Sequence, residues 1–293
     1  MKDRKKPRGT RARVQASKKK LAYTGTAITV AILIATITVS SFLVYSYLNP
    51  SQDRTINPDQ TDKQPAQPEA AIVDHLSLSA PNQTFKETAT NILKQAGYAV
   101  DYFPGEEVTV ELFRNLPLSD YRIAVLRAHS AIPHHTSESP TRLAIFTSEL
   151  YSTTKYVYEQ LSGQLGRVIY HEESPEYFGI GPEFVKSSMY GTFNECTVIM
   201  MGCEGLTYTE MAEAFVDKGA KVYIGWNGPV QAKHTDQATI QLLKHLVSET
   251  QTMEQAVTET MKEMGPDPAD NSILLYYPLE AGEQKLEDII TEN

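Results

Sequence analysis

The hydrophobic and polar positions in the last three quarters of the chain predict alternating helices and strands. After Thr84, which can form a capping box with Glu87, apolar residues recur at helical spacing up to Gly97. The segment YAVDYF follows directly as a strand, and a short helix is expected around Val110–Leu116. The next segment, RIAVLRA, lacks polar alternation, which predicts a strand that is buried on both faces.

The same alternation continues towards the C-terminus. Further strands are predicted at TRLAIF, which could be one arm of a hairpin, and at TVIMMG, KVYIGW and SILLYY. Helices are predicted near Thr153–Leu161, from Pro182, from the Thr207/Glu210 capping box to Gly219, and near Asp236–Ser248 and Met253–Met264. Because strands separated by helices usually pair in parallel, we expect an α/β fold, a three-layer sandwich with a mostly parallel central sheet.

One apolar segment near the N-terminus has a different pattern. Residues 21–52 contain no charged residue or histidine, and the run AITVAILIATITVSSFLVYSYL is long enough to cross a hydrocarbon layer of about 30 Å. It exceeds the apolar region of a cleaved signal peptide, so we expect residues 21–48 to form a single transmembrane helix in the lipid bilayer. Ten basic residues among residues 1–20 predict a cytoplasmic tail and an extracytoplasmic C-terminal domain.

The composition of the remaining residues separates a linker from a folded domain. Residues 49–72 are rich in Pro, Gln and Asp and predict a disordered linker, which leaves residues 73–293 as the folded domain. The net charge of −9 combines a tail of +9 with a remainder of −18. An acidic body lacks the clustered cations that neutralise phosphates, so we expect no nucleic-acid partner. The composition does not indicate whether the chain is a monomer or an oligomer.

Two predicted strands end in side chains that are typical of a nucleophilic hydrolase. RIAVLRA runs into His129, and TVIMMG runs into Cys203. In open α/β sheets, ligands bind at the carboxyl ends of the strands, where an imidazole could assist a thiol in attacking a carbonyl. Neighbouring backbone N–H groups, including that of Cys203, could stabilise the oxyanion. This chemistry requires no metal or organic cofactor.

The two cysteines also allow other interpretations. A disulfide between Cys196 and Cys203 is unfavourable, because a strand between them separates their Cα atoms by about 23 Å, whereas a disulfide tolerates at most about 7 Å. Cys203 could instead be an inert buried thiol. A zinc hydrolase using His129, His134 and His135, with Glu138 nearby, is a weaker alternative because these residues lack a recognised zinc-binding spacing.

Four successive features of the chain resemble the caspase-like domain of clan CD cysteine peptidases, closest to the gingipain and CHAT types. They are a strand ending in histidine, the segment VIMMGCEG, the helix MAEAFVDKGA and the segment KVYIGWNGPV. The resemblance implies a peptidase with His129 and Cys203 as its catalytic dyad. Ser130, where the family usually has glycine, would supply a backbone N–H to the oxyanion hole together with that of Cys203. Trp226 and Asn227 would border the substrate pocket. Glu204 would line it as well, and resembles the acidic residue that often directly follows the cysteine in CHAT-like sequences.

The resulting hypothesis is a membrane-anchored cysteine endopeptidase that hydrolyses polypeptides. Its alternative is a catalytically inactive caspase-like ectodomain that acts as a surface binding or scaffold module.

Overall fold

The computed structural model describes residues 67–132, 143–248 and 251–286. The predicted basic tail, the predicted membrane span at residues 21–48 and most of the predicted linker lie outside these ranges. Within the described ranges, no helix is both long and apolar enough to cross a bilayer.

A six-stranded sheet forms the centre of the domain. Its strands are β1 (Glu69–Asp74), β2 (Ala99–Pro104), β3 (Tyr121–Arg127), β8 (Cys196–Met200), β9 (Ala220–Trp226) and β10 (Leu274–Tyr277), in the order β10-β9-β8-β3-β1-β2. Every neighbouring pair is parallel except β9 and β10. The expected α/β fold with a mostly parallel central sheet is therefore confirmed, with an antiparallel strand at one edge.

Helices cover both faces of this sheet. The described α-helices are α1 (Gln83–Gln95), α2 (Val110–Asn115), α3 (Val157–Leu161), α4 (Pro182–Ser188), α5 (Glu210–Asp217), α6 (Ala232–Leu243) and α7 (Met253–Met264). Buried residues of α2, α4 and α5 share one apolar cluster with one face of the sheet, and those of α1, α6 and α7 share a second cluster with the other face. All seven residues of β3 are buried, as its unbroken apolar pattern predicts.

A second, smaller sheet lies beside the first; it was not predicted as a sheet, although its strand β5 overlaps the strand predicted at TRLAIF as one arm of a hairpin. It consists of β4 (Ser130–Ala131), β5 (Ala144–Leu150), β6 (Leu165–Val168) and β7 (Tyr177–Ile180), paired antiparallel in the order β4-β5-β7-β6. Its first strand begins directly after His129, so the main sheet passes into the second sheet at a candidate catalytic residue.

Several predicted boundaries were wrong. Strand β1 begins at Glu69, so the folded domain starts inside the predicted linker of residues 49–72. Helix α1 is capped by Asn82, whose side chain accepts from the Phe85 N–H, rather than by Thr84. Helix α5 begins after Thr209, and the Thr207 hydroxyl bonds the Glu204 carboxylate instead of closing a capping box.

Candidate active site

The loops that carry His129 and Cys203 leave the same edge of the central sheet. Strands β3 and β8 are adjacent and parallel, with Leu126 opposite Met200. The Met201 N–H continues the pairing by donating to the Leu126 carbonyl at 3.0 Å. Beyond it, the Ser130 hydroxyl donates to the Cys203 carbonyl at 2.5 Å. The two loops are thus in direct contact, as expected for the carboxyl ends of neighbouring parallel strands.

This contact depends on the glycine before the candidate nucleophile. A Cβ atom at Gly202 would overlap the Ala128 carbonyl oxygen and the Ser130 hydroxyl, and would lie 2.6 Å from the Met200 Cε. The φ angle of Gly202 lies outside the left-handed range, so the position requires glycine for space and not for backbone conformation.

The Cys203 thiol is partly exposed and is held by the segment that follows β9. Its Sγ accepts from the Val230 N–H at 3.4 Å and donates to the Val230 carbonyl at 3.6 Å. The Glu204 N–H donates to the Gly228 carbonyl at 2.9 Å, and the Leu206 N–H donates to the Trp226 carbonyl at 2.7 Å. The whole turn after β8 is therefore fixed against residues 226–230.

Burial raises the pKa of the Cys203 thiol above its usual value of 9.0. The hydrogen bond from the Val230 N–H opposes this shift, and the negative charges of Glu204 and Asp270 add to it. Cys203 therefore rests as a thiol at neutral pH, so its attack on a carbonyl requires a base that removes the proton.

His129 is also partly exposed and lies among aromatic and imidazole rings. Its Nε2 is hydrogen-bonded to the Ser79 Oγ at 2.9 Å, and its ring meets Tyr170 edge-on at a centroid distance of 5.0 Å. Burial, followed by the positive charge of Arg127, lowers the pKa of His129 below 6.5. The imidazole is consequently neutral at neutral pH and is able to accept a proton.

Sequence reasoning missed a second histidine in this cluster. His75 is fully buried directly after β1, and its Nε2 is hydrogen-bonded to the Tyr170 hydroxyl at 2.6 Å. Its ring stacks on Tyr170 and lies edge-on to His129 at 5.9 Å. Burial and the neighbouring His129 lower the pKa of His75 to about 3. The sequence carries a signal for it, since His75 follows a strand as His129 does, but most of EAAIVD falls within the predicted linker.

A buried ion cluster fixes the strand that leads to His129. Arg127 is fully buried and donates from Nε and Nη2 to both carboxylate oxygens of Asp236 at 2.7 and 2.8 Å. Its Nη1 donates to Asp74 at 2.7 Å. The cluster joins the carboxyl ends of β1 and β3 to α6, so it holds the edge of the sheet on which the candidate site lies.

The other predicted site residues have different surroundings. Ser130 is buried in extended backbone, which a serine adopts without strain, and Glu204 is partly exposed in a left-handed conformation with a φ of 61°. The Asn227 side chain is tied to the residue just before β10, since its Oδ1 accepts from the Ile273 N–H at 2.8 Å. Trp226, which the resemblance places at the border of the substrate pocket, is only 1% exposed.

The Trp226 indole is instead part of the support beneath the cysteine loop. Its Nε1 donates to the Thr235 hydroxyl at 2.9 Å, and that hydroxyl donates to the Met201 carbonyl at 2.9 Å. The burial of a large ring with its N–H satisfied is the usual arrangement for core tryptophan.

The two candidate catalytic side chains are bonded to different partners. Within the described part of the chain, the Cys203 thiol bonds Val230 and the His129 imidazole bonds Ser79, and no hydrogen bond joins the two side chains. His134, His135 and Glu138 of the zinc alternative lie outside the described residues. Among those that are described, no group of three His, Cys, Asp or Glu side chains is arranged to hold a metal ion.

Comparison with known proteins finds a structural likeness at low sequence identity. No protein-family model matches the chain, and no curated protein matches it. Among solved structures, the chain is similar to the arginine-specific cysteine proteinase gingipain R, with 13% identity and a TM-score of 0.41. The match covers 67% of this chain and 41% of that protein, so the chain spans less than half of its length. A likeness at this level assigns no function.

Proposed function

We propose that this chain is a cysteine endopeptidase in which Cys203 is the nucleophile and His129 is the general base and acid. The observation that carries the proposal is the contact between the two loops that follow β3 and β8. It brings a partly exposed thiol and a partly exposed neutral imidazole to one edge of the sheet. A thiol nucleophile and an imidazole base are the two groups that this type of acyl transfer requires.

In the proposed reaction, the Cys203 Sγ attacks the carbonyl carbon of a peptide bond while its proton passes to His129. The tetrahedral intermediate then breaks its C–N bond, and His129 returns the proton to the leaving amine. Water hydrolyses the remaining thioester, with His129 again accepting a proton, and the thiol is regenerated. Because the pKa of Cys203 is raised and that of His129 is lowered, proton transfer accompanies attack instead of preceding it.

Two backbone groups are candidates for stabilising the oxyanion. The Cys203 N–H lies at the start of the turn after β8, and the Ser130 N–H lies in the loop that this turn contacts. Preorganised N–H donors at such a position typically contribute about 10²–10³-fold to the rate.

The direct test is hydrolysis of a mixed peptide library by the purified full chain under reducing conditions, with new termini identified by mass spectrometry. Cys203→Ala should abolish cleavage, and His129→Ala should reduce it by at least about 10²-fold. Cys196→Ala is the matched thiol control, because Cys196 is fully buried in β8, and exposed His171→Ala is the matched imidazole control. Cleavage that persists in Cys203→Ala would refute the proposal.

A second function is favoured by one specific observation. The Cys203 thiol is bonded to Val230 and the His129 imidazole to Ser79, an arrangement that suits a catalytically inactive module that binds a protein partner. Catalytic contacts are often loose before substrate binds. The separate partners therefore do not outweigh the position of Cys203 and His129 at the same edge of the central sheet. An intact peptide library, together with no labelling of Cys203 by peptidyl electrophiles, would favour the binding module.

We also propose that residues 21–48 anchor the domain in a lipid bilayer, with the N-terminus in the cytoplasm and the catalytic domain outside. The support is the uncharged apolar run and the basic residues that precede it. The full chain should remain with membranes after alkaline carbonate extraction, whereas a chain lacking residues 1–48 should be released. External protease should digest the domain in sealed cells, and protection of the domain would contradict the orientation.

A further inference from the structure

The segment that contacts the Cys203 sulfur is itself held by a buried carboxylate. Asp267 is fully buried, and its Oδ2 accepts from the Gln231 N–H at 2.9 Å. Its Oδ1 accepts from the N–H groups of Ala269 and Asp270 at 2.9 and 3.2 Å. A buried carboxylate bound by three backbone donors is strongly fixed, because each bond to a charged acceptor is worth more than a neutral one.

Asp267 lies in the loop between α7 and β10, which is far in the chain from Cys203 but adjacent to residues 228–231. The same loop makes a second attachment, since the Ser272 hydroxyl donates to the Pro229 carbonyl at 2.5 Å. Together these bonds fix both residues that flank Val230, whose backbone N–H and C=O face the Cys203 sulfur at 3.4 and 3.6 Å.

We propose that Asp267 is a positioning residue for Cys203: its carboxylate holds residues 228–231 against the thiol and thereby sets the accessibility of the sulfur. The inference rests on the proposed role of Cys203 as nucleophile. Asp267 acts through the Gln231 N–H and the Val230 backbone and does not itself touch the thiol.

The charges around the Asp267 carboxylate and the Cys203 thiol agree with this role. The pKa of Asp267 is lowered because three backbone bonds and nearby His234 outweigh the effect of burial, so the carboxylate is ionised and accepts from every donor at neutral pH. The charged groups that face Cys203 are Glu204 and Asp270. Burial is the largest cause of the raised thiol pKa, so release of the covering segment should lower that pKa and speed alkylation.

The test is the rate of iodoacetamide labelling of Cys203 in the full chain, followed by mass spectrometry from pH 6 to pH 11. Asp267→Asn retains the shape of the side chain but replaces one acceptor oxygen by an NH₂ group. Gln231→Pro removes the donor instead, at a φ of −70° that proline adopts readily. Asp270→Asn is the charge control, because it removes a nearby negative charge from an exposed residue of the same loop.

We expect both Asp267→Asn and Gln231→Pro to label Cys203 about tenfold faster at the high-pH plateau, the factor expected for losing a hydrogen bond to a charged group. Asp270→Asn should leave this plateau unchanged. Cys196, fully buried in β8, reports global unfolding in the same sample and should stay unlabelled.

Equal plateau rates in the wild type and both variants would overturn the inference. Joint labelling of Cys196 and Cys203 in both variants would overturn it as well, since it would show a general role in folding. If Asp267→Asn does not fold, Gln231→Pro decides alone. The readout requires no peptidase activity, so a protein without activity still tests the role of Asp267.

Discussion

Replacing Gly202 by alanine tests whether the contact between the two loops holds the site together. The added Cβ would overlap the Ala128 carbonyl oxygen and would lie 2.6 Å from the Met200 Cε, well inside the ordinary carbon–carbon separation of about 3.5–4.0 Å. The methionine can turn away, but the carbonyl is backbone and directly precedes His129. The overlap is therefore relieved only by separating the two loops.

Overpacking of this kind typically costs about 1–3 kcal/mol of unfolding free energy. Urea unfolding of Gly202→Ala should show that loss, and a peptidyl electrophile should label Cys203 more slowly because the nucleophile has moved away from His129. Gly166→Ala in β6 is the matched control, since its Cβ would meet no atom within 4 Å. Its unfolding free energy should change by no more than about 0.5 kcal/mol. A Gly202→Ala variant that unfolds and labels like the wild type would refute the described contact.

Three further predictions concern protonation and the positioning of His129. Ser79→Ala should lower kcat by up to about tenfold with little change in KM, because it removes the hydrogen bond that orients the imidazole, and Ser79→Thr should restore the rate. Alkylation of Cys203 by iodoacetamide should rise with a midpoint above pH 9, since burial raises the pKa of the thiol; a midpoint near pH 6 would indicate a preformed thiolate–imidazolium pair instead. The free energy of unfolding should fall as pH decreases from 6.5 towards 3, because the unfolded His75 binds a proton in this window whereas the folded one, with its pKa lowered to about 3, does not. His75→Gln should remove that part of the pH dependence, and an unchanged titration of stability would contradict it.

The predictable parts of the fold are the elements whose own residues form a recognisable pattern of apolar and polar positions. Strand β3 is a continuous apolar run without alternation, and such a run is typical of a central strand in a parallel sheet. The same holds for the segment that contains β8. Because chain order and crossover rules place such strands side by side, their carboxyl ends, and hence His129 and Cys203, could be assigned to one edge of the sheet.

The missed elements depend on information that lies outside their own segments. Strand β1 follows a Pro- and Gln-rich stretch, so composition concealed its start. The second sheet is built from strands as short as the two residues of β4, which produce little periodicity. Antiparallel pairing of β10 with β9 follows a loop whose geometry depends on Asp267, a contact that no local pattern reveals.

The candidate site was likewise only partly predictable from the sequence. The nucleophile and the base follow strands and could be found by position, whereas their partners come from distant segments. Ser79 is 50 residues from His129 along the chain, and Val230 is 27 residues from Cys203. The burial of the Trp226 side chain is equally non-local, since its indole N–H bonds Thr235 of helix α6.

The most direct test of the central claim is covalent trapping of the full chain with a library of peptidyl acyloxymethyl ketones, with the adduct located by mass spectrometry. The account predicts a single adduct on Cys203 that forms at neutral pH, depends on the peptide portion, and is slowed strongly by His129→Ala but not by His171→Ala. An adduct on another residue, or labelling of Cys203 that is unaffected by loss of His129, would contradict the proposed dyad.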